Sequence, residues 1–200
     1  MQISLAGTCT YGIAQGQLQY NKLLPEEKPI ANEVAHRLES YHYVGKERKV
    51  REMRAAGVKV FLDSGAFSAY TLGQEISLEE YCAYIHENMD LIRVEEGVLM
   101  ASVLDDIGDE AITFANQQRM EALGVKPLPT FHTDEDERYL DYYAANYEYL
   151  SLGGMVGASP AQLQIWLDRM WNGHLLDGAG RPKTRVHGFG ITSEPLMERY

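Results

Sequence analysis

The chain has 200 residues, of which 45% are hydrophobic and 24% charged, and its formal net charge is −11 at pH 7. That length suits one domain, residues 1–200, with a sizeable core, and no run approaches the roughly 20 apolar residues of a membrane span. The excess of carboxylates argues against a broad nucleic-acid-binding surface, because affinity for phosphate backbones comes chiefly from Lys and Arg.

Met1 leads without a signal peptide into a β-like run, Ile3 to Ala6, so a cytoplasmic location is expected. Cys9 and Cys82 lie in no metal spacing and read as free thiols, one near a strand end and one inside a helix. A loose stretch covers Gln15 to Pro29. A helix is then expected from about Asn32 to Ala56, broken near Gly45. It carries Lys46, Arg48, Lys49, Arg51 and Arg54, but Glu47 and Glu52 interrupt them, so a solvated face competes with a local basic strip.

Further short apolar runs follow, at Val58 to Leu62, Val98 to Leu104, Lys126 to Phe131, Tyr149 to Leu152 and Arg185 to Phe189. They are rich in Val, Ile, Leu or Phe, as strands buried on both faces are. Ser77 and Glu80 have capping-box spacing ahead of a stripe of Tyr81, Tyr84, Ile85 and Met89. Asp109 or Gly108 opens the next helix, which ends at Gly124. Asp134 is expected to start a tyrosine-rich helix, and Ser159-Pro160 to start one with Leu163, Trp166, Leu167 and Met170 on its apolar face. The stretch from Asn172 to Lys183 reads as a surface loop, and a last helix begins near Ser193.

Strand–helix alternation implies an α/β fold with a parallel sheet, doubly wound or closed into a barrel. In such folds the working residues sit at the C-terminal ends of strands. Asp63 directly follows Val60-Phe61-Leu62, where partial burial would raise its pKa and suit it to proton transfer, whereas a simple N-cap role is the competing reading. Asp105 has the same placement, and two acids on neighbouring strand ends can divide ionised and proton-carrying roles. Gly153-Gly154 either makes a tight turn or lets a flat ligand approach the backbone. His132 and His187 each read as rim histidines or as site residues. No pair of histidines with an acid has zinc spacing.

Together these strand ends resemble the tRNA-guanine transglycosylase superfamily. Phe61-Leu-Asp-Ser-Gly-Ala-Phe-Ser68 is similar to that family's Asp-Ser-Gly-Gly-aromatic-Gln signature. Leu152-Gly-Gly-Met-Val-Gly157 resembles its Gly-Gly-Leu-Ala-Val-Gly loop. Val103-Leu-Asp-Asp106 stands where the family has a base-reading Asp, and His187-Gly-Phe-Gly190 where it has a Met-Gly-Val-Gly turn. Ser40-Tyr-His-Tyr43 and the form Asp-Ser-Gly-Ala-Phe-Ser-Ala look closest to the small phage and bacterial branch that inserts 7-deazaguanines into DNA.

The resemblance implies a parallel TIM-type barrel, incomplete at about six of eight strands, and exchange of guanine in DNA, in preference to tRNA, for a free 7-deazaguanine base through a covalent sugar–aspartate intermediate. By the same resemblance Asp63 handles the proton at the purine, Ser64 adjoins it, Phe67 stacks on the ring and Asp105 accepts from the guanine N1/N2 edge. His132 lies at the same rim, Gly153 and Gly154 contact the exocyclic oxygen or the 7-substituent, and His187 caps the other ring face. The tRNA enzymes carry a zinc site of three cysteines and a histidine that has no counterpart here, so no metal and no cofactor is expected. The family's nucleophilic Asp would follow Tyr200, which implies a C-terminally truncated chain, prone to homo-oligomerise through open strand edges. The alternatives are a non-catalytic purine- or partner-binding remnant of such a barrel, and an unrelated βα-barrel lyase or hydrolase that uses Asp63 and His132 as an acid/base pair.

Overall fold

In the computed structural model, residues 2–15 and 17–200 are described; Met1, the expected lead into the first strand, and Gly16, part of the expected loose stretch, lie outside them. Short strands and helices alternate. The order is β1 (Leu5–Ala6), α1 (Glu27–Glu33), β2 (Arg37–Ser40), α2 (Tyr41–Val44), α3 (Glu47–Ala55), β3 (Phe61–Asp63), α4 (Ala66–Thr71) and α5 (Leu78–Glu87). Then come β4 (Val94–Glu95), β5 (Val98–Leu99), α6 (Glu110–Ala122), β6 (Thr130–His132), α7 (Glu137–Asn146), β7 (Tyr149–Gly153), α8 (Pro160–Met170), β8 (Arg185–Gly188) and α9 (Glu194–Arg199).

The α/β alternation is present, but the TIM-type barrel is not. The strands form three small sheets, β1-β2-β3 and β6-β7-β8 parallel and β4-β5 antiparallel, and none closes on itself. The reason lies between Val94 and Leu104. Glu96 (φ 50°) and Gly97 (φ 87°) reverse the chain into a tight antiparallel hairpin, where one parallel strand was expected. After it, Ala101 and Ser102 make only single parallel bridges, to Leu62 and Leu128, so the two three-stranded sheets are linked at points and share no continuous ladder.

The expected helix over Asn32 to Ala56 is also corrected. Strand β2 occupies part of its first half, with α1 before it and α2 and α3 after it. Arg37 and Glu39, charged residues that argue against a buried strand, are both buried there. Glu39 is satisfied locally. Its Oε1 accepts from Thr8 Oγ1 (3.1 Å) and Cys9 N (2.5 Å), and its Oε2 from Thr10 N (3.0 Å) and Thr10 Oγ1 (2.8 Å). A carboxylate with four donors tolerates burial that an unpaired one would not. The basic residues of α3 make a solvated face: Arg48 pairs with Glu52, Arg51 with Glu47, and Arg54 with Asp90.

Helix starts follow the expected chemistry more closely. Ser77 accepts from Glu80 N, Asp109 from Ala111 N and Ile112 N, and Ser159 forms a full capping box with Gln162. Gly124, at φ 83°, closes α6. Three details differ. Asp136, not Asp134, caps α7; Met89 leaves the α5 stripe and is 46% exposed; and Trp171–Leu175 continues α8 as a π-turn inside the expected loop. Cys9 and Cys82 are free and buried, and burial raises the Cys9 thiol to about 12, which keeps it inert. Among the described residues no helix is long and apolar enough to cross a membrane.

Candidate active site

Parallel register sets the site. Ser40 on β2 stands beside Asp63 on β3, and His132 on β6 beside Gly153 on β7, all at C-terminal strand ends. Between the two sheets, the residues after the Ser102 bridge carry Asp105 to the same rim.

A continuous set of hydrogen bonds joins Ser64, Asp105, His132 and Glu135. Ser64 Oγ donates to Asp105 Oδ1 at 2.8 Å, and Asp105 Oδ2 lies 3.1 Å from His132 Nε2. On the far side of the imidazole, Nδ1 is 2.8 Å from Glu135 Oε1, while Glu135 Oε2 accepts from His132 N at 2.9 Å. The backbone of Ser64 is held by Ser102 Oγ (2.9 Å), and Ser102 O accepts from the buried Tyr81 hydroxyl (3.0 Å). Ser64 is fully buried, whereas Asp63, Asp105 and His132 are partly exposed, so the array faces outward on one side.

Charge follows from this geometry. Burial and the neighbouring Asp105 carboxylate raise Asp63 to about 7, against the bond it accepts from Gly65 N at 3.0 Å. Burial alone would lower His132, but the hydrogen bonds and charges of Asp105 and Glu135 prevail and hold it at about 10. With a carboxylate at each ring nitrogen, His132 is a cation at neutral pH and has no lone pair for a metal or a substrate proton. His187 is the opposite case. Burial, reinforced by the charge of Arg93, lowers it to about 4, so it is neutral.

The glycines are space requirements. A Cβ on Gly65, at φ 79°, would fall 2.3 Å from Ser40 Oγ, and one on Gly153 would fall 2.6 Å from His132 Cδ2. Gly153 is therefore where the imidazole ring packs. Gly154, at φ 73°, makes the exposed turn, with its carbonyl accepting from Thr133 Oγ1 at 3.3 Å. Of the residues singled out from sequence, Asp63, Ser64, Asp105, His132 and Gly153 come together. Phe67 lies on the first turn of α4, 59% exposed. His187 sits one step deeper, paired in register with Ser151, its ring edge-on to Phe61 and Phe189 at 4.8 and 4.6 Å.

Sequence reading missed Glu135, Ser102 and Tyr81. Glu135 stands three residues after His132, close enough to fold back on it, but that spacing became informative only once the loop geometry was known. Two cavities have no member of the hydrogen-bonded array in their lining. One of about 220 Å³ is lined by Tyr41, His42, Lys46, Glu75 and Glu80, and one of about 370 Å³ opens at the other end of the strands.

No protein-family model, curated protein or solved structure matches this chain. The chemistry of the array therefore carries the functional reading.

A carboxyl group near 7 donates or accepts a proton at neutral pH, and the second carboxylate, Asp105, stands against the His132 cation at 3.1 Å. Two acids, Asp63 and Asp105, thus stand on one rim, 42 residues apart in sequence.

Proposed function

We propose that this chain is a base-exchange glycosyltransferase acting on guanine in nucleic acid, DNA in preference to tRNA, and delivering a 7-deazaguanine in its place. The observation that carries the reading is the Asp63 carboxyl, raised to about 7 by burial and the nearby Asp105 carboxylate, which accepts from the adjoining Ser64. A purine leaves a sugar more readily when it takes up a proton, and a carboxylic acid matched to neutral pH supplies one and recovers one from the incoming base. Asp105 keeps unused lone pairs for the two N–H donors of the guanine N1/N2 edge. Phe67 is exposed and available to stack on a base drawn out of its helix, and the Gly154 turn offers backbone to the opposite edge.

Support for the guanine substrate comes from the likeness of Asp63-Ser-Gly-Ala-Phe-Ser68 and Leu152-Gly-Gly-Met-Val-Gly157 to the transglycosylase motifs. The ring-capping part given to His187 is left out of this reading, since its ring already packs between Phe61 and Phe189. His132, a cation at neutral pH, orients Asp105 and is not a base, which weighs against an Asp63–His132 acid/base pair. The nucleophile that would hold the sugar is not assigned. A cytoplasmic, self-associating protein acting without metal or cofactor completes the proposal. Exchange of radiolabelled guanine into DNA and into tRNA tests it, with purine titration by calorimetry alongside. Exchange that is lost in Asp63→Asn supports the reading, purine binding without exchange points to a binding protein, and neither binding nor exchange ends it.

A further inference from the structure

The cavity of about 370 Å³ lies at the N-terminal ends of β2 and β3, away from the acid rim. Lys59 precedes Asp63 by four residues of extended chain, roughly 13 Å at strand rise. Its polar lining is Arg37, Lys59, Arg93, Gln15 and Asn32, with no Asp or Glu among the lining residues. In a chain of net charge −11, a concave surface with three cations and no carboxylate is a local reversal of sign.

The strongest feature is Arg37. It is only 5% exposed and, among the described residues, forms no ion pair and makes one side-chain bond, from Nη2 to Ala31 O at 2.7 Å, while its buried Nη1 has no partner there. A buried guanidinium without a counter-ion is costly, and such groups are normally paired. Arg93 adds to the imbalance. It pairs with Glu95, yet its Nη1 is also buried without a hydrogen bond. Burial holds Arg93 below the usual arginine range, and burial together with the Arg93 charge lowers His36. Of the two buried guanidinium groups at this cavity, Arg37 is thus short of an anion among the described residues and Arg93 keeps an unused donor.

We propose that the cavity binds a dianionic phosphate group, as inorganic phosphate or a phosphomonoester, with Arg37, Arg93 and Lys59 as its charge partners. Guanidinium forks match phosphate oxygens in geometry, and the side-chain amides of Gln15 and Asn32 add neutral donors. The volume holds a phosphate with a modest organic body. A polymer backbone is disfavoured because the key guanidinium is buried.

The test is calorimetric titration of the full chain with inorganic phosphate and with phenyl phosphate, at ionic strength fixed by sodium chloride. Saturable one-to-one binding of both is expected. Lys59 is exposed, so Lys59→Gln keeps the fold and should weaken binding about three- to tenfold, while Arg93→Gln should weaken it by more than about tenfold. Arg37→Gln should do the same, with its fold checked by circular dichroism because Arg37 also anchors Ala31. Heats matched by chloride alone, or affinity unchanged in both Lys59→Gln and Arg93→Gln, would overturn the proposal. Displacement of phosphate by a short single-stranded oligothymidylate would also overturn it, as it would mean a phosphodiester site. Guanine exchange plays no part in the measurement, so the two proposals stand or fall separately.

Discussion

Asp63 illustrates how one residue serves two purposes. Its Oδ2 accepts from Gly65 N, which is the turn-satisfying role any Asp at a strand end can play. Burial and Asp105 make it protonatable near neutrality at the same time. A carboxyl whose folded pKa, about 7, lies above its unfolded value favours folding most below about pH 4, and that stabilisation is lost as pH rises to 7. Asp63→Asn should therefore gain stability relative to the parent between pH 4 and pH 8, on the order of 1–3 kcal/mol, by urea unfolding. It should also abolish base exchange while purine binding stays within about tenfold, because an isosteric amide fills the site without carrying the proton. Wild-type exchange by that variant would contradict the assignment. His132 predicts a different window. Raised to about 10, it stabilises fully below its unfolded value near 6.5, and this contribution disappears between there and pH 10. His132→Gln should flatten that alkaline loss; an unchanged slope would show that the imidazolium is not paired as the distances indicate.

At the scale of elements, β2 is the decisive piece. It lies between β1 and β3, and its Glu39 ties the segment after β1 to the sheet through four donors. In Glu39→Gln one oxygen becomes an amide nitrogen, which cannot accept from Thr10, so buried donors lose their partner. A loss of about 2–4 kcal/mol is expected, with faster amide exchange at Thr8 to Thr10 in hydrogen-exchange mass spectrometry. A change below about 0.5 kcal/mol would mean that the carboxylate is not what holds this segment. The same element explains the failure of a long predicted helix. Val44 in α2 and Val50 and Met53 in α3 are buried, so the helical part of the expected span does face the core. The charged Arg37 and Glu39 made the strand before them unrecognisable, because their burial depends on partners up to 31 residues away.

For the whole molecule, open sheets have consequences. Among the described residues β1 and β8 each have a single strand neighbour, and strand edges without a second neighbour offer backbone groups to another chain. Ile3 and Leu5, both about half exposed, lie beside the first edge. Self-association that increases with concentration is expected by sedimentation velocity. A single 22.6 kDa species across a wide concentration range would contradict it.

Sequence alone determined the alternation of elements, most of the helix starts and the position of Asp63, Asp105 and His132 directly after or at the end of apolar runs. These depend on local chemistry: caps such as Ser77, Asp109 and Ser159 act within three residues, and a polar residue after an apolar strand falls at its end whatever the sheet does. Tertiary structure alone decided the rest. Closure of a barrel depends on long ladders, and the Glu96-Gly97 reversal, a two-residue backbone event, divided the strands into three sheets. The protonation states were equally non-local. Neither the imidazolium of His132 nor the neutral His187 follows from the residue type, because each is set by which groups, Asp105 and Glu135 in one case and apolar rings with Arg93 in the other, are brought against it.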